Sequence, residues 1–379
     1  MRAHQEADGS WGGIQPPWVW SILMLAALGH GPEDETLSRA IEGWEGFMVE
    51  EGDRLRPEAC QSPVWDTGLA VLALRDSGLG PEHPGLVRAA EWLLNEEVTV
   101  PGDWAIRKPD LAPGGWAFEF ENDLYPDVDD SVVVAVALRR CHSGPEAVAR
   151  GLRWAAGMQS KSGGWGAFDV ENEAFWLYRL PFCDFGKVTD EPSADVTAHA
   201  LEALAPEEGY ADEVRKGLEW LLAEQEADGS WFGRWGVNHV YGTAAALPAL
   251  EACGVEPAHP AMRRAVAWLE SVQQETGGFG EDCRSYDVDE DGECWHGRGE
   301  PTASQTAWAL LGLVAAGEAH SEAATRAAAW LAENQREDGD WDEPHFTGTG
   351  FPRHFLINYH LYRTYWPVMA LGRLKAARA

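Results

Sequence analysis

No Cys-x-x-Cys pair occurs in the sequence. Its six cysteines, Cys60, Cys141, Cys183, Cys253, Cys283 and Cys294, are scattered singly. Such spacing excludes a dense disulfide framework and reads as reduced, buried thiols of an intracellular protein. Long apolar runs are lacking as well: the longest, residues 18–28, is broken by Ser21 and falls short of the roughly 18–20 residues that span a bilayer. The opening MRAHQEADGSW lacks the apolar segment of a secretory signal. Attachment to one face of a membrane stays open. Basic residues are few, 29 Lys and Arg against 62 Asp and Glu, and the net charge of −33 argues against nucleic acid as a partner.

What is abundant is tryptophan. The chain has 20 in 379 residues, and 45% of its residues are hydrophobic. That composition supports a large core and a length of two or three domains. Indole offers both buried area and an electron-rich face, so the tryptophans serve either packing or chemistry.

Internal repeats organise the chain. RGLRWAAGMQSKSGGW (150–165), KGLEWLLAEQEADGSW (216–231), RAVAWLESVQQETGGF (264–279) and RAAAWLAENQREDGDW (326–341) are copies of one unit. RAAEWLLNEEVTVPGDW (88–104) is a degenerate copy, and QEADGSW (5–11) is the tail of another. Each is a helix followed by a Gly-rich turn that closes on an aromatic, the glycine supplying the positive φ that ends a helix. The Gln and Trp residues are expected to tie helix ends together. A second series alternates with the first: VWDTGLAVLAL (64–74), DDSVVVAVAL (129–138), ADVTAHALEAL (194–204), VYGTAAALPAL (240–250) and SQTAWALLGL (304–313). These helices are apolar nearly all round and should be buried, with the amphipathic ones outside them. Their aligned Thr67, Ser131, Thr197, Thr243 and Thr306 are candidate N-caps. Inner and outer helices in alternation predict an all-α toroid, an α/α barrel of concentric layers. Two residues before the aligned Ser/Thr stand Trp65, Asp129, Asp195, Tyr241 and Ser304, so the first four should converge on a cavity at one end of the barrel.

The stretch YPDVDDSVVV (125–134) sets Asp127, Asp129 and Asp130 at the start of an inner helix. A helix N-terminus favours their ionised form by about 0.3–1 kcal/mol. Burial and mutual repulsion oppose it more strongly and should leave at least one carboxyl protonated. A neutral carboxylic acid in a dry cavity is a proton donor. His199 follows Asp195 by four residues on the next inner helix. That spacing puts them on one face, where Asp195 would hold His199 charged and His199 would sharpen the acidity of Asp129. A metal is the competing reading of the cluster, but no second acidic cluster on an inner helix completes such a site. DVDEDGECWHGR (287–298) begins like a calcium loop with Asp287, Asp289, Asp291 and Gly292, yet has Arg298 at the twelfth position, where a bidentate Glu is needed. It reads as a solvated acidic loop. Phe351, Phe355, Tyr359 and Tyr362 recur at helical spacing and are expected on one helical face. An acid, a cavity and many aromatic faces together suit carbocation chemistry, since such faces stabilise cations without attacking them. A glycosidase using Asp129 and Asp195 as paired carboxylates is the other enzymatic reading, and the apolar inner helices speak against it. A non-catalytic repeat scaffold is a third.

The Q-x-x-x-G-x-W repeats, DVDD (127–130), SPVWDTGLAVLAL (62–74), PFCDFG (181–186), DGSWFGRWG (228–236), PTASQTAWAL (301–310) and GTGFP (348–352) together resemble the squalene–hopene cyclase family of class II triterpene cyclases. The resemblance covers essentially the whole chain. It implies two α/α barrels of the α6/α6 type on the cytoplasmic face of the cell membrane, attached peripherally, and it allows a homodimer. It implies cyclisation of squalene to hopene or hopanol by protonation of a terminal alkene, with no cofactor and no metal. Carried over, Asp129 would be the donor, Asp127 and Asp130 its support, and His199 its hydrogen-bond partner with Asp195 behind. Trp65, Phe118, Phe168, Trp235, Tyr241, Phe351, Phe355, Tyr359 and Tyr362 would line the cavity, and Gln15 would help hold the terminating water. The family's chains are longer at the N-terminus. Residues 1–48 are therefore expected to be the tail of a first barrel that is mostly missing, residues 49–379 a second barrel, and the chain a truncated one whose activity alone is open. Another linear polyprene is the alternative substrate.

Overall fold

The computed structural model describes residues 1–180, 189–287 and 294–379. PFCDFG (181–186) with Cys183, and Asp289, Asp291 and Gly292 of the acidic loop, lie outside them. Among the described residues the chain is mostly helical, with thirteen α-helices and two short hairpins.

Six helices form the inner layer: α3 (Pro63–Asp76), α5 (Val128–Arg140), α7 (Ala194–Leu204), α9 (His239–Ala252), α11 (Ala303–Ala315) and α13 (Tyr362–Ala377). Each touches the next in this order, and α13 returns to α3, closing a ring. In α9 and α11 nearly every residue is buried, as helices apolar on all sides require. Around the ring lie α4 (Pro84–Asn95), α6 (Pro145–Gly157), α8 (Ala211–Ala223), α10 (Pro260–Val272) and α12 (Glu322–Glu333). Each buries one stripe, such as Ala265, Val266 and Leu269 of α10, and leaves charged residues outside.

The repeat residues do what a tie between helix ends demands. Gln159 Nε2 donates to Gly163 O at 2.7 Å and to Glu213 O of the following outer helix at 2.8 Å. Gln225 and Gln273 repeat this on Gly229 and Ala261 and on Gly277 and Ala323. The closing indoles of Trp165, Trp231 and Trp341 each donate Nε1–H to a carbonyl ten residues back. The turn glycine is obligatory. Gly163 has φ of +107°, and a Cβ there would lie 2.6 Å from Lys216 O.

Four expectations change. First, the aligned hydroxyls sit inside the first turns and are not caps. Ser131, Thr197, Thr243 and Thr306 accept the backbone N–H of Trp116, Trp165, Trp231 and Phe279 at 2.9–3.0 Å. They rivet each outer turn to the next inner helix. Second, the degenerate repeat closes on Trp116, whose Nε1 reaches Leu93 O at 2.6 Å. Trp104 instead packs edge-on against Trp154. Third, the C-terminal aromatics do not share a helix. Phe351 and Phe355 lie on β3 (Gly348–Phe351) and β4 (Phe355–Ile357), an antiparallel pair, and Tyr359 precedes α13. Further, Cys294 is exposed, although Cys141 is buried as expected.

Before the ring come α1 (Gln15–Ala27), α2 (Glu35–Gly46) and a hairpin of β1 (Met48–Glu51) and β2 (Arg54–Pro57). This segment has its own small core of Trp11, Trp18, Leu25, Leu37, Ala40 and Phe47. It meets the rest through Gln15 N on Ala59 O and through His4 on Asp103.

Candidate active site

Asp127 is the N-cap of α5 and accepts the amide of Asp130 at 2.7 Å. Its own amide donates to Trp116 O, and Val128 N to Ala167 O. The acidic turn is thus fixed from both neighbouring repeats. The carboxyls of Asp127 and Asp130 also share a hydrogen bond, which one proton between them must make. Burial pushes Asp127 up to about 7 against the hydrogen bonds from Asp130 that lower it. Burial, then the charge of Asp127, pushes Asp130 well above the carboxylate range. One proton is therefore held by the pair at neutral pH.

Asp129 points the other way. Its Oδ1 lies 2.6 Å from Nδ1 of His199 on α7. Burial would lower the His199 pKa, but the charge and hydrogen bond of Asp129 outweigh it and raise it to about 9. Asp195 is wholly buried, and its pKa is raised by that burial and then by Asp129. Its Oδ2 accepts the amides of Arg234 and Trp235 at 3.0 and 2.8 Å. It acts on His199 through its charge and fixes the backbone that carries Trp235.

The three aspartates open onto a cavity of about 780 Å³, within the range of about 300–1,000 Å³ for small-molecule sites. Eight of the expected aromatic residues line it: Trp65, Phe118, Phe168, Trp235, Phe351, Phe355, Tyr359 and Tyr362. They brace one another. Trp65 Nε1 donates to Tyr362 OH at 3.0 Å, Tyr359 stacks on Tyr362 at 4.6 Å, and Phe168 meets Trp235 edge-on at 5.9 Å. Two expected residues stand outside the lining. Tyr241 packs on Trp308 at 4.8 Å and borders, with His199, a void of about 70 Å³ inside the ring. Gln15 starts α1, and it is Ile14, Pro16 and Pro17 around it that reach the cavity.

Sequence reasoning missed Asp190. This buried carboxylate accepts the amides of Ala167, Phe168 and Asp169 at 2.6–3.1 Å and so sets the cavity position of Phe168. It also missed Arg234, which lies over the Trp235 ring at 4.1 Å and lines the cavity. No periodicity marks either residue.

The chain matches known proteins along nearly its whole length. Residues 61–376 match the family model described as the squalene-hopene cyclase C-terminal domain, and residues 1–53 the N-terminal domain of the same name. The squalene–hopene cyclase of Alicyclobacillus acidocaldarius is 51% identical over 98% of this chain and 60% of that protein. That of Zymomonas mobilis is 44% identical over 96% of this chain and 57% of that protein. The chain thus spans about three-fifths of the length of these curated relatives. Among solved structures, an ent-copalyl diphosphate synthase from Streptomyces platensis superposes with a TM-score of 0.60 at 20% identity, over 92% of this chain and 56% of that one. That similarity is one of fold.

Proposed function

Because this chain belongs to the squalene–hopene cyclase family, we propose that its cavity cyclises squalene to hopene or hopanol, with Asp129 as the proton donor. The observation that carries this reading is the Asp129–His199 pair at 2.6 Å, set at the edge of an aromatic-lined cavity. His199 as imidazolium donates Nδ1–H to Asp129 Oδ1. Oδ2 is then free to carry the transferable proton. Glu202 and Asp195, whose charges also favour the imidazolium, support His199 while Asp129 carries the proton. Transfer of the Oδ2 proton to the terminal alkene forms a C–H bond and leaves a tertiary cation. The alkene π electrons then close the rings in turn, and loss of a proton or capture of water ends the sequence. The faces of Trp65, Phe168, Trp235 and Tyr362 steady the moving charge without supplying a nucleophile.

The ring of α3 to α13, six inner helices with five outside them, is in this reading the second α6/α6-type barrel of the family, formed by residues 49–379, and residues 1–48 are the tail of the first. The small separate core of α1 and α2 supports that division. Peripheral membrane attachment also belongs to the proposal. The exposed apolar residues Trp20, Leu23, Met24 and Leu28 on and just after α1 are in this reading the face that meets the rest of the first barrel, and they do not mark the attachment. No helix among the described residues is long and apolar enough to cross a membrane.

The test is turnover. The chain is incubated with squalene, alone and together with a polypeptide covering the remaining length of the relatives. Gas chromatography then looks for a cyclised hydrocarbon or alcohol, and its absence from both reactions refutes the assignment. A second reading, a linear polyprene with an oxygenated end, is favoured by Arg234, whose buried Nη1 has no hydrogen-bond partner. Faster turnover of an oxygenated polyprene than of squalene would select it.

A further inference from the structure

We propose that Glu226, His239 and His296 form a binding site for a divalent transition-metal ion of the zinc class, separate from the aromatic cavity. The three residues come from three segments: the turn after α8, the first residue of α9, and the loop leading to α11. One donor atom from each lies within 4.8 Å of the others.

His239 is oriented as a ligand. Its Nδ1 lies 3.2 Å from Oε1 of Glu281, a carboxylate with no exposed side-chain surface. Glu281 Oε2 is itself held by the amides of Asn238 and Val240 at 3.2 and 2.8 Å. Nδ1 thus keeps its proton toward Glu281, while Nε2 faces Glu226 Oε1 at 3.4 Å, and an ion entering there would displace the Nε2 proton and take its lone pair. A carboxylate behind an imidazole in this way is the usual outer support of a zinc ligand. Two ligands each about 2.0–2.1 Å from a tetrahedral zinc ion lie about 3.3 Å apart, close to that Nε2–Oε1 separation.

His296 completes the set. Its Nδ1 is 3.9 Å from Glu226 Oε2 and 3.1 Å from Asp228 Oδ2. Asp228 Oδ1 takes the amide and hydroxyl of Ser230, and its Oδ2 faces His296 from outside the three-residue set. Two imidazoles and one carboxylate, with water in the fourth position, suit zinc and its neighbours, whereas magnesium and calcium prefer oxygen alone. The two rings are stacked, with centroids 3.5 Å apart at 20°. In-plane lone pairs of stacked rings do not meet, so binding requires His296 to tilt out of the stack. Its side chain is 18% exposed and borders a cleft of about 470 Å³ with Asp228 and Cys294. That cleft provides both the room to tilt and the path of entry.

The test is calorimetric titration of the chelator-treated full chain with zinc, repeated with cobalt for the visible absorption of a tetrahedral site. The expected result is one tight equivalent. His296→Ala and Glu226→Gln, both at partly exposed positions, should abolish that equivalent while metal-free circular dichroism and melting temperature stay unchanged. Glu281→Gln, which touches no ion, should weaken binding by about ten- to a hundredfold. If the wild type binds no tighter than the Glu226→Gln/His296→Ala double variant, the groups form only an ion-paired cluster and the site does not exist. A tight equivalent that survives both substitutions places the ion elsewhere on the acidic surface and overturns the assignment equally.

Discussion

At the scale of single residues, three aspartates in four positions become chemically unequal once folded. Asp127 and Asp130 turn to each other and share a proton, while Asp129 turns to His199 on the next helix. Crowding and burial were legible in DVDD, and so was the conclusion that a proton must remain. The division of labour was not, because it depends on which way each side chain leaves the first turn. Asp195 shows the same limit: its spacing from His199 was visible, but its bonds to the Arg234 and Trp235 amides involve a segment some forty residues away. Protonation of the pair has a measurable cost. Asp127 goes from an ordinary 3.8 to about 7 in the fold. The native state therefore binds the extra proton, and the Asp127 contribution to stability is lost as pH rises through that window. Asp127→Asn keeps a good N-cap and removes this dependence. Its melting temperature relative to wild type should climb between pH 4 and pH 7 and then stay flat. A constant difference across that range would show that the pair does not share a proton.

At the scale of elements, the alternation of inner and outer helices was the most legible feature. Burial on all sides and burial on one stripe leave different patterns in any sequence. The role of the hydroxyls was misjudged because Ser and Thr near a helix start usually cap it. Here the cap position belongs to Asp127 or Thr302, and the hydroxyl one turn later serves a neighbouring repeat. Thr197→Val leaves the buried Trp165 N–H without its acceptor and should cost about 1–3 kcal/mol in urea denaturation. A change near zero would mean that the rivet contributes nothing. The aromatic segment 348–362 misled for another reason. Gly348, Gly350 and Pro352 oppose a helix there, and Arg353 adopts a positive φ of 73°. The recurrence at four and three residues was real, yet a hairpin and a helix start supply it, and all four rings still reach the cavity. Glu281 and Glu343 were overlooked. Each stands two residues after the aromatic that closes its repeat and binds amides at the start of the preceding inner helix, α9 or α11. A carboxylate at a helix N-terminus is favoured there.

At the scale of the whole molecule, the ring closes because α13 packs between α11 and α3. Closure brings Trp65 and Tyr362 within one hydrogen bond although they are 297 residues apart. No local pattern could show that contact, and it depends on the number of repeats in the chain. The central claim is that Asp129 delivers the proton. The most direct measurement is squalene turnover by Asp129→Asn beside wild type, under conditions in which wild type cyclises, with circular dichroism of both. The account predicts an unaltered fold and no cyclised product above background, since the amide cannot supply the proton. Turnover by Asp129→Asn near the wild-type rate would contradict it.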